Sequence, residues 1–194
     1  MKLEKEIKLK KLLLLKLSII PLFLVIFSLG VHAQKIDSLN SVVKFEIDGI
    51  GWSEVEGEIK GMSGSLVFDK NNLALSFFNV CINTSTIFTD SEKRDTHLKD
   101  PDFFDVKKYS TICFKSSNVA KVKEGYKVKG ELTILNKTKE TEFDFRVIIE
   151  SGQRILVGKF EINRFDFGLA AESYSSTMMV GKTVKIEIRC VLLD

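Results

Sequence analysis

A chain of 194 residues with 44% hydrophobic and 28% charged residues suits a globular protein with one sizeable core, and no linker, repeat or low-complexity tract divides it. The formal charge of +3 comes from the first 33 residues: they hold six Lys and two Glu, leaving 23 basic and 24 acidic residues beyond them. A near-neutral body offers no basic face for nucleic acid. With His97 as its only histidine, it also argues against a histidine-rich zinc or iron site.

Lys2, Lys5, Lys8, Lys10, Lys11 and Lys16 precede an apolar run from Leu17 to Leu29, and Gly30-Val31-His32-Ala33 follows before Gln34. This order of basic, apolar and small-residue zones predicts a signal peptide over residues 1–33, cleaved after Ala33, and export to a periplasm or beyond the cell. Lys16 and Pro21 keep the run short of the roughly 20 apolar residues that a membrane span wants. No cysteine near the cleavage zone offers a lipoprotein acceptor.

Period-two alternation dominates residues 34–194. Val43, Phe45 and Ile47 alternate with Lys44, Glu46 and Asp48, and Val55, Gly57 and Ile59 alternate with Glu54, Glu56 and Glu58. After a turn at Gly61-Met62-Ser63-Gly64, Leu66 and Phe68 keep the rule. Leu73 to Ile82 is apolar on both faces, which suits a strand with one side to the interior and the other beneath a covering segment. Residues 84–110 break the pattern with charged and aromatic residues. Ser91 as N-cap predicts a short helix from about Glu92 to Leu98, in a connection that crosses one end of a barrel.

Further on, Tyr126, Val128, Gly130, Leu132 and Ile134 form a dry stripe, then a turn at residues 136–139 leads to Phe143, Phe145, Val147 and Ile149. Leu156, Gly158, Phe160 and Ile162 make the next strand, and Val184, Ile186, Ile188, Cys190 and Leu192 the last. The expectation is an all-β domain, an antiparallel barrel of about eight strands or a sandwich. Cys81, Cys113 and Cys190 lie in apolar runs and read as buried free thiols, with one bridge as the most that three allow.

A barrel lumen is either filled by side chains or holds one apolar ligand. Fifteen Phe beside a single Trp suit the walls of a pocket for a long, flexible, apolar ligand, but taken alone they suit a filled core better, since apolar stripes are usually core. Gly57, Gly130 and Gly158 leave gaps in the dry stripes, either for curvature or for something that approaches the wall. Arg94, Asp95, His97, Asp105, Arg164 and Asp166 also carry two readings. In one, Arg94, Arg164 and His97 receive a polar head group at the lumen mouth. In the other, the arginines and aspartates pin the crossing segment, with Phe103, Phe104, Phe165 and Phe167 as apolar anchors. No nucleophile elbow is present, since Gly61-Met62-Ser63-Gly64-Ser65 fails at its last position, and no glycine-rich phosphate loop opens a helix. An acid–base pair of His97 with Asp95 or Asp105 is too common an arrangement to specify a reaction.

Arg94-Asp95-Thr96-His97-Leu98, Phe103-Phe104-Asp105, Tyr109-Ser110-Thr111-Ile112-Cys113-Phe114, Gly130-Glu131-Leu132-Thr133-Ile134 and Asn163-Arg164-Phe165-Asp166-Phe167-Gly168 follow one another in this order. With them, the chain from Ser41 onward resembles the YceI family of bacterial polyisoprenoid-binding proteins. The resemblance implies an extended lipocalin-like barrel whose lumen holds the polyisoprenoid chain of a quinone or an isoprenyl phosphate, for transport or storage, with no catalysis, cofactor or metal. The ligand-binding residues it implies are, in the first half, Phe45, Ile47, Val55, Ile59 and Phe68. In and after the crossing segment they are Arg94, His97, Phe103, Phe104 and Phe114. The second half adds Val128, Leu132, Phe143, Phe145, Phe160, Arg164, Phe167, Ile186 and Ile188. The lipid is the expected partner, with transient membrane contact for its exchange and a homodimer through Phe77-Phe78 or Phe103-Phe104 as further readings. The chain departs from the family pattern at Ser110, where proline is usual, and at Asp48, where histidine is common.

Overall fold

Strands that alternate apolar and charged residues must bury one face, and here they do so by curling into one antiparallel sheet. The structure, a computed structural model, describes residues 33–49, 54–169 and 180–193 together with Glu4 and Glu6. The leader expected at the N-terminus lies outside the described residues. The strands are β1 (Lys35–Ile36), β2 (Val42–Asp48), β3 (Glu54–Ile59), β4 (Ser63–Val67), β5 (Phe77–Asn83), β6 (Thr111–Val122), β7 (Gly125–Ile134), β8 (Lys137–Glu150), β9 (Gln153–Asn163) and β10 (Thr183–Leu193). They pair in the order β3-β2-β10-β9-β8-β7-β6-β5-β4, and β1 pairs with β10.

Ten strands thus stand where about eight were expected. β1 is only two residues long, too short for a periodicity to register. β6 escaped because its alternation breaks after Phe114, where Ser116 and Asn118 flank a shift in register. The turn expected at Gly61-Met62-Ser63-Gly64 does separate β3 from β4, with Gly61 at φ of 72° and Met62 buried. Both edges of the sheet find partners. Gln34 donates its N–H to the Leu66 carbonyl at 2.7 Å and its side chain pairs with the Phe68 backbone, so β1 bridges β10 to β4. Glu58 of β3 exchanges two backbone hydrogen bonds with Phe88 in the segment after β5. The barrel therefore leaves few open edges for another chain to pair with.

The helix of the crossing segment, α1 (Glu92–Lys99), is where it was expected, although Ser91 caps it with no side-chain hydrogen bond. The β7–β8 turn falls earlier than expected, at Leu135 and Asn136, with φ of 50° and 59°. Two consecutive left-handed residues match the twist of a two-residue hairpin. Leu73 to Ile82 is not one strand: residues Leu73–Leu75 make a 3-10 turn before β5, and Phe77 points outward with 42% of its surface exposed, under no cover.

The cysteines correct the expectation of free thiols. Cys81 and Cys113 face one another across β5 and β6 with Cα atoms 4.1 Å apart and form a disulfide; Cys190 alone is free and buried. Phe78 and Ile82 on β5 and Phe114 on β6 point into the core, and the cysteines alternate with them in the wall.

Candidate ligand site in the lumen

The strands place two kinds of interior along the barrel axis. At the end where β6 turns into β7, Phe68, Phe78, Tyr126 and Phe145 interlock. The Phe68 ring meets Tyr126 at 4.8 Å and Phe145 at 5.7 Å, and Phe78 meets Phe145 at 5.5 Å, all edge to face. Val128 is fully buried beside β6 and β8. This is a packed floor.

Above it the lumen is hollow. A cavity of about 500 Å3 is walled by inward residues of β2, β3, β5–β10 and by the crossing segment. That volume lies within the range of roughly 300–1,000 Å3 typical of small-molecule sites. Every residue expected at the ligand lines it except Phe68, Val128 and Phe167. Those three are 6%, 0% and 2% exposed and belong to the packed core, where neighbouring side chains already occupy the space a ligand would need. The sequence reading missed other wall residues, among them Phe78, Ile112, Leu156 and Cys190. The same alternation carries them, and depth along the barrel decides which side of the floor a residue meets.

The three glycines do not leave empty gaps. A Cβ on Gly57 would lie 2.3 Å from the Phe45 ring, one on Gly130 2.7 Å from the Phe114 ring, and one on Gly158 3.0 Å from the Phe143 ring. Each glycine is a recess occupied by a phenylalanine from a neighbouring strand. Phe143 in turn stacks on Phe160, with centroids 4.5 Å apart and planes 12° off parallel. Rings laid against the wall leave the centre open. Gly130 also sits at a register shift between β6 and β7, where a side chain would strike the Lys115 carbonyl at 2.3 Å.

The polar groups gather on and beside the crossing segment. Arg94 donates Nε to the Thr89 hydroxyl at 2.7 Å and Nη2 to the Thr89 carbonyl, and the Thr89 hydroxyl donates to the Asp95 carboxylate. Thr89 and Asp95 are buried, so this relay ties α1 to the strand-like stretch that closes β3. The partner of Asp95 is thus a threonine that the sequence reading passed over, where an arginine was expected. Asp105 works through its backbone, with φ of 42° and its carbonyl accepting from Lys108 and Tyr109, and Asp166 is exposed.

Arg164 is 5% exposed and donates to the carbonyls of Gly181 and Leu169, both at 2.9 Å, and of Val180 at 3.4 Å. Burial pulls its pKa below the usual arginine value. Its guanidinium also lies 4.3 Å over the Phe165 ring. His97 lies on the rim, its side chain 58% exposed, with the ring edge-on to Phe103 at 4.7 Å and Nδ1 3.9 Å from Asp100. Cys190, deep in the wall, has its thiol pushed up to about 12 by burial. On the outer face, Glu46, Glu54 and Glu56 gather across β2 and β3, where Lys185 pairs with Glu46.

An antiparallel barrel with a packed floor, an apolar upper lumen and polar residues on the crossing segment and the turn after β9 defines a lipocalin-like protein with a hydrophobic cavity. The chain belongs to the YceI-like domain family, which matches residues 34–192. Protein YceI of Escherichia coli O17:K52:H18 is 33% identical over 109 residues, 56% of this chain and 57% of that relative, so the match spans little more than half of that relative's length. Among solved structures, BcnA of Burkholderia cenocepacia superposes with a TM-score of 0.74 at 24% identity, covering 80% of this chain and 98% of that one. A domain from Saccharophagus degradans, described as polyisoprenoid-binding and implicated in plant cell wall breakdown, superposes with a TM-score of 0.63 at 14% identity, over 82% of this chain and 97% of that one. These structures share the fold.

Proposed function

We propose that this protein binds a polyisoprenoid lipid in its lumen and carries or stores it, without catalysis, in the periplasm or outside the cell. The observation that carries the proposal is the apolar cavity of about 500 Å3 above a solid floor, where the polar side chains among the described residues are Arg94, His97 and Arg164. A long, flexible hydrocarbon gains from burying its whole length and asks nothing of the walls but dryness. Family membership and the likeness to a polyisoprenoid-binding domain support the reading.

The rim favours a head group with hydrogen-bond acceptors over a fully charged one. Arg94 spends Nε and Nη2 on Thr89, and Arg164 donates to three backbone carbonyls, so neither presents the open two-pronged fork that phosphate recruits. A quinone ring fits this better than an isoprenyl phosphate. Ligand exchange would proceed at the rim, by transient contact with a membrane surface. Phe103 and Phe104 face the cavity and Phe78 is buried, which leaves Phe77 alone of these four to serve a homodimer face.

The test is purification of the exported chain from Gln34 onward without detergent, followed by solvent extraction and mass spectrometry. A stoichiometric polyprenyl compound is the expected result, and it identifies chain length and head group together. A lipid-free extract, combined with no uptake of added quinones or polyprenyl phosphates, would sink the proposal.

A further inference from the structure

The Cys81–Cys113 disulfide stands at the root of the crossing segment. Beyond it the β5–β6 ladder holds only two more residue pairs, Ile82 with Ile112 and Asn83 with Thr111, before the chain leaves the sheet at Thr84 and returns at Ser110. Thr84 fastens these feet, its N–H donating to the Ser110 carbonyl at 3.0 Å and its hydroxyl to the Tyr109 carbonyl at 2.8 Å. Between the feet lie Arg94, His97, Leu98, Phe103 and Phe104, all facing the cavity. Two non-glycine residues bracket that stretch in left-handed backbone, Asp90 with φ of 59° and Asp105 with φ of 42°. Such torsions cost energy that is recovered when the segment opens.

Two residue pairs at the end of a ladder fray readily. A covalent bond just below them keeps a fray from running further down the ladder, and because the segment is the wall between cavity and solvent, a longer fray opens the mouth wider. We propose that the Cys81–Cys113 disulfide is a redox-sensitive brace for the mouth: oxidised, it holds the crossing segment down, and reduced, it lets the segment open and the lumen exchange its contents faster. The brace stands on the geometry of the segment, while its effect on exchange rests on the lumen-binding reading above.

The bond is placed for such chemistry. It lies half-buried in the wall, between exposed Asn79 and Asn83 on one strand and Thr111 and Lys115 on the other, and both cysteines also border the cavity. A thiolate of a dithiol reductant attacks one sulfur and the Cys81–Cys113 bond breaks. The mixed disulfide then resolves on the reductant's second thiol. Two electrons and two protons have passed to the protein, leaving two thiols there and a disulfide on the reductant. Cys190 does not interfere, because it is buried in the wall with its thiol held protonated.

The experiment follows amide hydrogen exchange of residues 84–110 in the chain from Gln34 onward, oxidised and after dithiothreitol, beside the release rate of dansyl-farnesol loaded into the lumen. Reduction is expected to speed exchange in α1 and release of the probe about tenfold each, with the β7–β8 hairpin unchanged. The C81V/C113V variant, which keeps a packed cross-strand pair, is expected to behave as the reduced protein even in oxidising buffer. Identical exchange in oxidised and reduced protein overturns the brace. Faster exchange with unchanged probe release overturns its control of the mouth. Faster exchange in a protein that takes up no probe at all upholds the brace and overturns the lumen-binding reading instead.

Discussion

At the closed end of the barrel Phe68, Phe78, Tyr126 and Phe145 reach across the lumen and interlock, whereas nearer the mouth Phe45, Phe114 and Phe143 lie over glycines on the wall. Both regions come from period-two strands and both are rich in phenylalanine. The difference is the cross-strand neighbour. Phe45 sits opposite Gly57 and Phe143 leans over Gly158, so each ring has a recess to enter. Phe68 and Tyr126 have only each other and Phe145. Hollowness here is a property of where the small residues stand, and aromatic content alone would build a solid barrel just as well.

The sharpest way to break this contrast is to truncate one ring in each region. Phe68→Ala is expected to cost about 4 kcal/mol by urea unfolding, because its contacts are all protein and a cavity remains. Phe160→Ala, whose ring borders space that is already open, should cost about 2 kcal/mol and weaken lipid binding more than its sister. Equal costs would mean that floor and wall are equally packed. Next comes Thr89→Val, which strips the hydroxyl from buried Asp95 and from Arg94. A loss of about 2 kcal/mol is expected, with faster hydrogen exchange in α1 and the floor untouched. Gly57→Ala sharpens the contrast from the other side. The new methyl displaces the far end of the Phe45 ring into the lumen and presses on the Thr89 methyl at 2.8 Å, at a cost of about 2 kcal/mol, and lipid uptake should fall at least tenfold while the fold survives. If uptake is unchanged, the recess does not keep the lumen open.

The smallest expected effect concerns pH. The Cys190 thiol ionises near 9 when the chain is unfolded and only at about 12 in the fold, so the folded state holds the proton more tightly. Its contribution is complete below pH 9 and is lost as pH rises from there toward 12. A urea midpoint that falls between pH 9 and 10.5, with a shallower fall in Cys190→Ala measured side by side, is the expected outcome. The same slope in both proteins would place the titrating group elsewhere.

Much of this architecture is legible in the residues one at a time. The alternation around Phe45, Val128, Phe143 and Ile186 gives the inward stripe of each strand, and Ser91-Glu92 marks the start of α1. What escapes is whatever depends on register or depth. Cys81 meets Cys113 only because β5 and β6 align across an intervening segment of 27 residues, 84–110, and a spacing of 32 says nothing of that. Phe68 and Phe45 carry the same period-two mark, yet one plugs the floor and the other borders the cavity. Thr89, a single threonine between Phe88 and Asp90, has no pattern to announce that it ties two charged side chains to the rim.

The pairing of β1 with the end of β10 also sets an order in time. Lys35 finds Leu193, and buried Ser41 receives the Val191 N–H at 2.9 Å, so the earliest strand is completed by the last one synthesised. β2 and β9, too, are joined only through β10. Until that strand has left the ribosome the sheet has two raw edges and no closed lumen. Contacts that span nearly the whole chain make folding slow and late. A nascent barrel of this connectivity stays open, with its apolar inner face uncovered, until β10 has been made.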